Sequence, residues 1–200
     1  MKSLMKNIFT ITIATFIFSM FFSASVYAGE IYLPDHNKKT LIMNPSATVK
    51  VYETTSPNYY NYINGRFAYS MIFPTSFSNV SEAGNSAGAT FTNIENDSCK
   101  INVWGAHNLA QTSLSDSYFQ KIKTIGSNNI IYSTYKDDYY FIYWIKNDIV
   151  FIDKVFISPN YINGFSFSYP ASLDNQYSKF ALALSDKFIP GWKTGFKIKG

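Results

Sequence analysis

The stretch that most constrains this chain is YYFIYWI, which runs from Tyr139 to Ile145. Successive side chains of a β-strand point to opposite sides of the sheet. One side of this stretch carries Tyr139, Phe141, Tyr143 and Ile145, and the other carries Tyr140, Ile142 and Trp144. A strand that is apolar on both sides needs packed cover on both faces of its sheet. We therefore predict that YYFIYWI lies in the middle of a sheet enclosed between two layers.

Further strands are predicted on both sides of this stretch. The polar residues 146–148 connect it to IVFIDKVFI, residues 149–157, which favours a β-hairpin. Residues 88–92 and 100–104 are predicted to form a second hairpin around a polar turn. Strands are also predicted over residues 66–73, 129–135 and 165–169. Residues 79–88, rich in Ser, Asn, Gly and Ala, are expected to form a loop.

Two amphipathic stripes predict the helices that cover this sheet. The first follows the capping residue Ser113, ends at Gly126, and presents Leu114, Tyr118, Ile122 and Ile125 on one face. The second runs from about Ser172 to Ile189 and presents Leu173, Tyr177, Phe180, Leu184 and Phe188. We expect this second stripe to pack on YYFIYWI and IVFIDKVFI, because those strands are apolar on both sides.

Two distant stretches share a spelling. Residues 56–74 read SPNYYNYINGRFAYSMIFP, and residues 158–170 read SPNYINGFSFSYP. In each copy Asn-Gly predicts a turn, a strand with alternating aromatic residues follows, and Pro ends the strand. Their downstream segments differ, so we interpret the echo as one structural device used twice, not as a duplicated domain. A paired Tyr/Phe binding cleft is the alternative.

The first 28 residues have the pattern of a cleavable secretory signal peptide. Two lysines, Lys2 and Lys6, precede an apolar run of 15 residues, and Val26 and Ala28 occupy the positions that a signal peptidase recognises. We predict cleavage after Ala28. The alternative, an uncleaved membrane anchor, is disfavoured because a spanning helix needs ~20 apolar residues. A lipoprotein is excluded because the one cysteine, Cys99, is far from this site.

Four segments are predicted: a signal peptide over residues 1–28, an irregular N-terminal extension over 29–64, a compact α+β domain over 65–191 and a basic tail over 192–200. The whole chain has a formal net charge of +4, and removing Lys2 and Lys6 leaves +2. No Lys/Arg run marks a nucleic-acid or membrane surface, so we predict neither partner and no stable membrane anchor after cleavage. A single cysteine forms no internal disulfide.

Three phrases resemble the PsbP-like fold family of small secreted bacterial proteins, which includes DcrB-like envelope proteins. They are GRFAYSMIFP, GATFTNIENDSCKINVWGAHN and GFSFSYPASLDNQYSKFALALSDKFIPG, and together they span about residues 65–191. The resemblance implies an α/β/α sandwich around a mostly antiparallel central sheet. It also implies a binding, assembly or accessory role, as in periplasmic immunity proteins against toxins of rival bacteria. The chain lacks the lipid-attachment cysteine of DcrB-like proteins, so a soluble periplasmic or secreted location is expected.

Few residues point to chemistry. Neither His36 nor His107 lies in a catalytic motif, and two histidines and one cysteine predict no zinc site. The carboxylates at Glu95 and Asp97 and at Asp137 and Asp138 lack the spacing of a calcium loop, although carboxylates on separate loops leave a Ca²⁺ site open. Asp153, inside IVFIDKVFI, is expected to have a Lys or Tyr partner, and the alternative is that it faces solvent at a sheet edge. We predict no cofactor and no catalytic residue.

Tyrosines supply the candidate contacts to a partner. Tyr59, Tyr60, Tyr62 and Tyr161, together with His107, are predicted to form an exposed partner-binding rim, because Tyr combines rigid contact area with a polar tip. The alternative for each tyrosine is that it fills a strand position. The predicted function is that of a non-catalytic exported accessory or binding protein that contacts a protein partner. A specific form is a periplasmic immunity protein against a secreted toxin. The alternative is a secreted hydrolase with a site around His107.

Overall fold

The computed structural model describes residues 42–43, 49–54 and 56–194. Within them it contains eleven strands and two α-helices. The strands are β1 (Ile42–Met43), β2 (Val49–Glu53), β3 (Tyr59–Asn64), β4 (Ser70–Pro74), β5 (Asn79–Glu82), β6 (Gly88–Thr92), β7 (Lys100–His107), β8 (Ile130–Lys136), β9 (Tyr139–Lys146), β10 (Ile149–Ile157) and β11 (Tyr161–Pro170). The helices are α1 (Leu114–Ile125) and α2 (Asp174–Ser185). The predicted signal peptide lies outside the described residues.

Seven strands form one antiparallel sheet in the order β5-β6-β7-β11-β10-β9-β8. The predicted α+β class with a mostly antiparallel sheet is therefore confirmed, and so is the hairpin of β9 and β10. The strand built from YYFIYWI is interior, as expected, but it lies one place from the edge strand β8. The central strand is β11, because it pairs with β7 as well as with β10.

Helix α1 covers one face of this sheet. The Ser113 hydroxyl accepts the Asp116 backbone N–H at 3.0 Å and so caps the first turn. At the other end, Gly126 has φ 83°, a conformation that side chains disfavour. The predicted stripe packs on the sheet beside buried Tyr140, Ile142, Val155 and Ile157. This element therefore forms where its sequence places it.

Helix α2 packs on the opposite face, against β10 and β11. Its Leu184 is 3% exposed and belongs to the same core as Val150, Ile152, Phe165 and Phe167. The prediction that this stripe packs on IVFIDKVFI is confirmed, but its other main partner is β11 and not YYFIYWI. The helix is also shorter than predicted. Residues Ala171–Leu173 form a 3-10 turn after Pro170, and Phe188 is buried beyond the last helical residue.

The irregular extension predicted over residues 29–64 is wrong where the structure describes it. Strands β1, β2 and β3 lie there, and with β4 they form a second antiparallel sheet in the order β1-β2-β3-β4. This small sheet joins α2 in covering the larger one. Burial in β3 does not follow a clean period of two, because Ile63 is buried together with its neighbours Tyr62 and Asn64, so the local sequence signal for this strand is weak. The boundaries of the other predicted segments stay predictions.

The loop predicted over residues 79–88 is wrong in part, because Asn79–Glu82 forms the strand β5. Its sequence is NVSE, with mixed burial, and it is an edge strand paired with β6 alone. A four-residue polar strand gives little period-two signal, because half of its surface faces water. The conformation of β5 therefore depends more on its backbone pairing with β6 than on its amino-acid composition.

The two echoed stretches fold differently. The first becomes the β3–β4 hairpin, in which Asn64 Oδ1 accepts the Phe67 backbone N–H at 2.9 Å and fixes the turn. In the second, Asn163 and Gly164 lie inside β11, so the predicted turn there is wrong. Asn163 Oδ1 instead accepts the Gly191 N–H at 2.8 Å. The Trp104 ring occupies the space that a side chain at position 164 needs.

No described helix is long and apolar enough to cross a membrane.

Replacing Leu184 with Asp should destabilise the protein by at least ~3 kcal/mol, because it removes a buried side chain and places a charge in its site. Leu182→Asp is the matched control, since Leu182 lies on the same helical turn and is 40% exposed. Both variants place a carboxylate near the negative end of α2, so that penalty is shared. Thermal and urea unfolding measure the difference. A Leu184→Asp variant that melts with the parent contradicts the packing of α2.

Candidate functional site

The predicted tyrosine rim does not exist as one surface. Tyr60 is 4% exposed and Tyr62 is 0% exposed, so the prediction that they are exposed is wrong. Both point from β3 into the core between the two sheets. The Tyr62 ring meets Phe91 edge-on at 5.2 Å, and the Tyr60 ring lies 5.6 Å from Phe73. Tyr62 packs the small sheet on the large one, and Tyr60 packs on the neighbouring strand of the small sheet. Neither residue can contact a partner in the folded state.

The remaining members separate into two places. Tyr59 is half-buried and lines a groove between the small sheet and α2. Tyr161 and His107 are both exposed, and they are direct partners across β11 and β7. Their rings lie 5.4 Å apart and flank Phe67, whose ring centre is 5.3 Å from His107. The Arg66 guanidinium carbon lies 5.2 Å from the centre of the Phe67 ring. The structure thus brings together two of the five predicted residues.

The surroundings of His107 give the hydrolase alternative no support. A general base needs a hydroxyl or carboxylate within hydrogen-bonding reach. Among the described residues, no hydroxyl or carboxylate hydrogen-bonds to the His107 ring, which contacts the Phe67 and Tyr161 rings. The arrangement can stack against a planar group, but the described residues supply no hydrogen-bonded partner that could exchange a proton with His107.

The carboxylates of the described residues are engaged in structural contacts or dispersed. No group of three His, Cys, Asp or Glu side chains gathers in the described part of the chain. In the β8–β9 turn, Asp138 accepts hydrogen bonds from Trp192 Nε1 at 3.2 Å and Lys193 Nζ at 2.8 Å. These bonds attach the segment after α2 to the turn between β8 and β9.

Asp153 is a buried carboxylate on the face of the sheet that α1 covers. Its oxygens accept hydrogen bonds from Trp144 Nε1 at 2.9 Å and Ser166 Oγ at 2.6 Å. Lys121 of α1 pairs with it at 3.2 Å. A buried charge with three such partners is satisfied, which is the usual state of a structural carboxylate. Asp153 therefore joins α1 to β9, β10 and β11. The expected Lys partner of Asp153 is Lys121.

Sequence reasoning missed the main exposed apolar surface, which lies around β8 at the edge of the large sheet. Four large side chains there are exposed: Phe119 at 57%, Ile131 at 54%, Tyr132 at 56% and Tyr135 at 44%. We call them the β8-edge surface. One sequence feature could have indicated this surface: Phe119 directly follows the stripe residue Tyr118, and so a large apolar side chain lies on the polar side of an amphipathic helix. Ile131 lies at an irregularity in the pairing of β8 with β9.

The β8-edge surface continues on both faces of the sheet. On the α1 face, the Tyr118 ring lies 5.2 Å from Phe119 and 4.8 Å from Tyr135. On the opposite face, the Tyr132 ring lies 6.1 Å from Phe141. Between them runs the outer edge of β8, whose described strand partner is β9 alone. Exposed apolar groups beside an edge strand are typical of a place where another chain adds.

Comparisons with known proteins identify the fold. No protein family model matches the chain, and no curated protein matches it. Among solved structures, the chain is similar to the solution structure of cyanobacterial PsbP (CyanoP) from Synechocystis sp. PCC 6803. The TM-score is 0.52 at 11% sequence identity, and the match covers 65% of this chain and 91% of that one. The fold is PsbP-like, which confirms the fold implied by the three phrases; the likeness to DcrB stays a prediction.

Buried tyrosines predict that stability falls at high pH. Burial raises the pKa of Tyr62 from 10.0 to about 12. Between those values the unfolded chain loses its phenol proton while the folded protein keeps it, so rising pH favours unfolding. At about pH 11 this group alone lowers the free energy of unfolding by ~1 kcal/mol.

Urea unfolding midpoints of the parent and of Tyr62→Phe, measured at about pH 8 and about pH 11, test this coupling. The parent should lose stability over this interval, and Tyr62→Phe should lose less because it has no phenol to ionise at this position. Equal losses in the two proteins contradict the role of Tyr62.

Proposed function

We propose that this chain is an exported, non-catalytic accessory protein that binds a protein partner through the β8-edge surface. The observation that carries the proposal is the exposure of Phe119, Ile131, Tyr132 and Tyr135 along a sheet edge. A small protein seldom leaves that much aromatic surface in water without a use for it. Two observations support a non-catalytic role: the fold is PsbP-like, and the described contacts of the His107 ring are with the Phe67 and Tyr161 rings.

The geometry favours an extended segment of the partner that pairs with β8. An edge strand presents unpaired backbone N–H and C=O groups, and an added strand satisfies them. Side chains of that segment would alternate between the Phe119–Tyr135 side and the Tyr132 side. The other sheet edge, β5, is shorter and carries no exposed aromatic residue. Of the two edges, β8 therefore offers both backbone pairing and apolar contact area.

Export belongs to the same proposal. Residues 1–28 have the order of a secretory signal, with a positive start, an apolar run and small residues before Ala28. We infer a periplasmic or secreted location, and within it a specific form of the function: a periplasmic immunity protein whose partner is a secreted toxin. What supports this form is the sequence resemblance to a family that contains such proteins.

Affinity capture tests the partner surface. The protein, recovered from the periplasm of its host under native conditions, should retain a stoichiometric protein partner. The double variant Phe119→Ser/Tyr135→Ser should lose it, because both side chains are exposed and lie on the β8-edge surface. Leu109→Ser is the matched control, since Leu109 is 91% exposed elsewhere. A partner retained by the double variant, or repeated capture of none, contradicts the proposal.

Two further measurements examine export and the identity of the partner. Amino-terminal sequencing of the periplasmic fraction should begin at Gly29, and a protein confined to the cytoplasm or starting at Met1 contradicts export. If the partner is a toxin, the parent protein should inhibit it at equimolar concentration and the double variant should not. A captured partner without toxic activity removes the immunity form but leaves the accessory role.

A further inference from the structure

A groove of about 370 Å³ lies between the small sheet and α2, on the face of the large sheet that α1 does not cover. Its lining is mostly apolar: Tyr59 and Ile72 come from the small sheet, and Phe180, Ala183 and Leu184 come from α2. Thr54 and Ser56, in the β2–β3 connection, and Lys187, after α2, complete it. Its volume is at the lower end of the range of small-molecule pockets, about 300–1,000 Å³.

Lys187 is the one cation among these lining residues, and it has no described counter-ion. The described ion pairs join Lys121 to Asp153, Lys154 to Asp186 and Lys193 to Asp138. Asp186, its neighbour in sequence, is committed to Lys154 at 2.7 Å. An exposed ammonium beside an apolar groove therefore remains available to an anion.

Two hydroxyl residues, Thr54 and Ser56, line the side of the groove that faces α2. Thr54 Oγ1 lies 2.8 Å from both the Ser56 and Tyr59 carbonyl oxygens, which holds the β2–β3 connection in a tight turn at the groove. The same Thr54 oxygen accepts the Ser56 backbone N–H at 3.2 Å. The turn places Ser56 and Tyr59 side by side in the lining, opposite α2. The small-sheet side of the groove thus carries hydroxyl groups together with Ile72, and the α2 side carries apolar side chains together with the Lys187 ammonium.

We propose that this groove binds a single-chain carboxylate, such as a medium-chain fatty acid. The alkyl chain would lie against Ile72, Phe180 and Leu184, and the carboxylate would pair with Lys187. A chain of about ten carbons suits a pocket of this small size, whereas a two-chain lipid does not. Apolar burial supplies most of the affinity, and the charge pair selects a carboxylate over a neutral alcohol.

This site is independent of the partner surface proposed above. The groove lies between α2 and the small sheet, whereas the β8-edge surface lies along the edge strand β8 and includes Phe119 of α1. No residue belongs to both.

Calorimetric titration of the purified protein with decanoate and with 1-decanol tests the proposal. The parent should bind decanoate more tightly than decanol. Lys187→Met should weaken decanoate binding about fivefold, equivalent to ~1 kcal/mol, and leave decanol binding unchanged. Lys179→Met is the control, because Lys179 is an exposed lysine of α2 that does not line the groove. Ala183→Trp should abolish binding of both ligands by filling the groove from an exposed position.

Amide chemical shifts of the parent protein give a readout that depends on no variant. Decanoate should shift the signals of Ile72, Phe180 and Ala183, and it should leave those of β8 unchanged. Absence of decanoate binding, shifts confined to other regions, or full binding by a folded Ala183→Trp protein overturns the site. Equal effects of Lys187→Met on decanoate and decanol overturn the assignment of a carboxylate ligand.

Discussion

The seven-stranded sheet buries aromatic side chains on both of its faces, and the other elements lie where they exclude water from them. On one face α1 suffices, because Ile125 and the rest of its stripe cover Tyr140, Ile142, Val155 and Ile157. The buried core on the other face contains many more side chains, and α2 alone does not cover it. The small sheet of β1 to β4 takes the remainder, with Tyr62 and Phe73 packed against Phe91. The layered architecture follows from this need for cover.

Phe67 shows how closely the small sheet is attached. It is 6% exposed, and its ring lies over Gly105 of β7, where any side chain would collide with it. Gly191 likewise has no room for a side chain beside the Phe67 carbonyl oxygen. Asn163 holds Gly191 in place through its Oδ1. The turn after β3, the centre of the large sheet and the segment after α2 are therefore joined at one point, and Tyr161 and His107 border it.

The places that remain uncovered are where we assign binding. Covering a sheet's faces leaves its edges, and β8 is an edge with apolar groups on both sides. Joining a helix and a small sheet over one face leaves a seam, and the groove at Lys187 is that seam. Neither feature includes the carboxylates that hold the layers together. Asp153 pairs with a lysine of α1, and Asp174 accepts hydrogen bonds from two tyrosines of the large sheet. Structural and binding roles are thus carried by different residues.

The sequence by itself determined the elements whose signal is local. Both faces of YYFIYWI, the stripe of α1 and its Ser113 cap were readable, because a period of two or of 3.6 records which side of one segment is buried.

The tertiary structure alone decided the role of Tyr60, Tyr62 and the second Asn-Gly pair. The same Tyr is an exposed contact or a core residue according to which sheet lies over it, and Asn163-Gly164 stays extended because Trp104 packs across it. The β8-edge surface and the groove were equally invisible, since they arise where separate elements fail to cover one another. Burial of that kind depends on residues distant in the chain, and no local period encodes it.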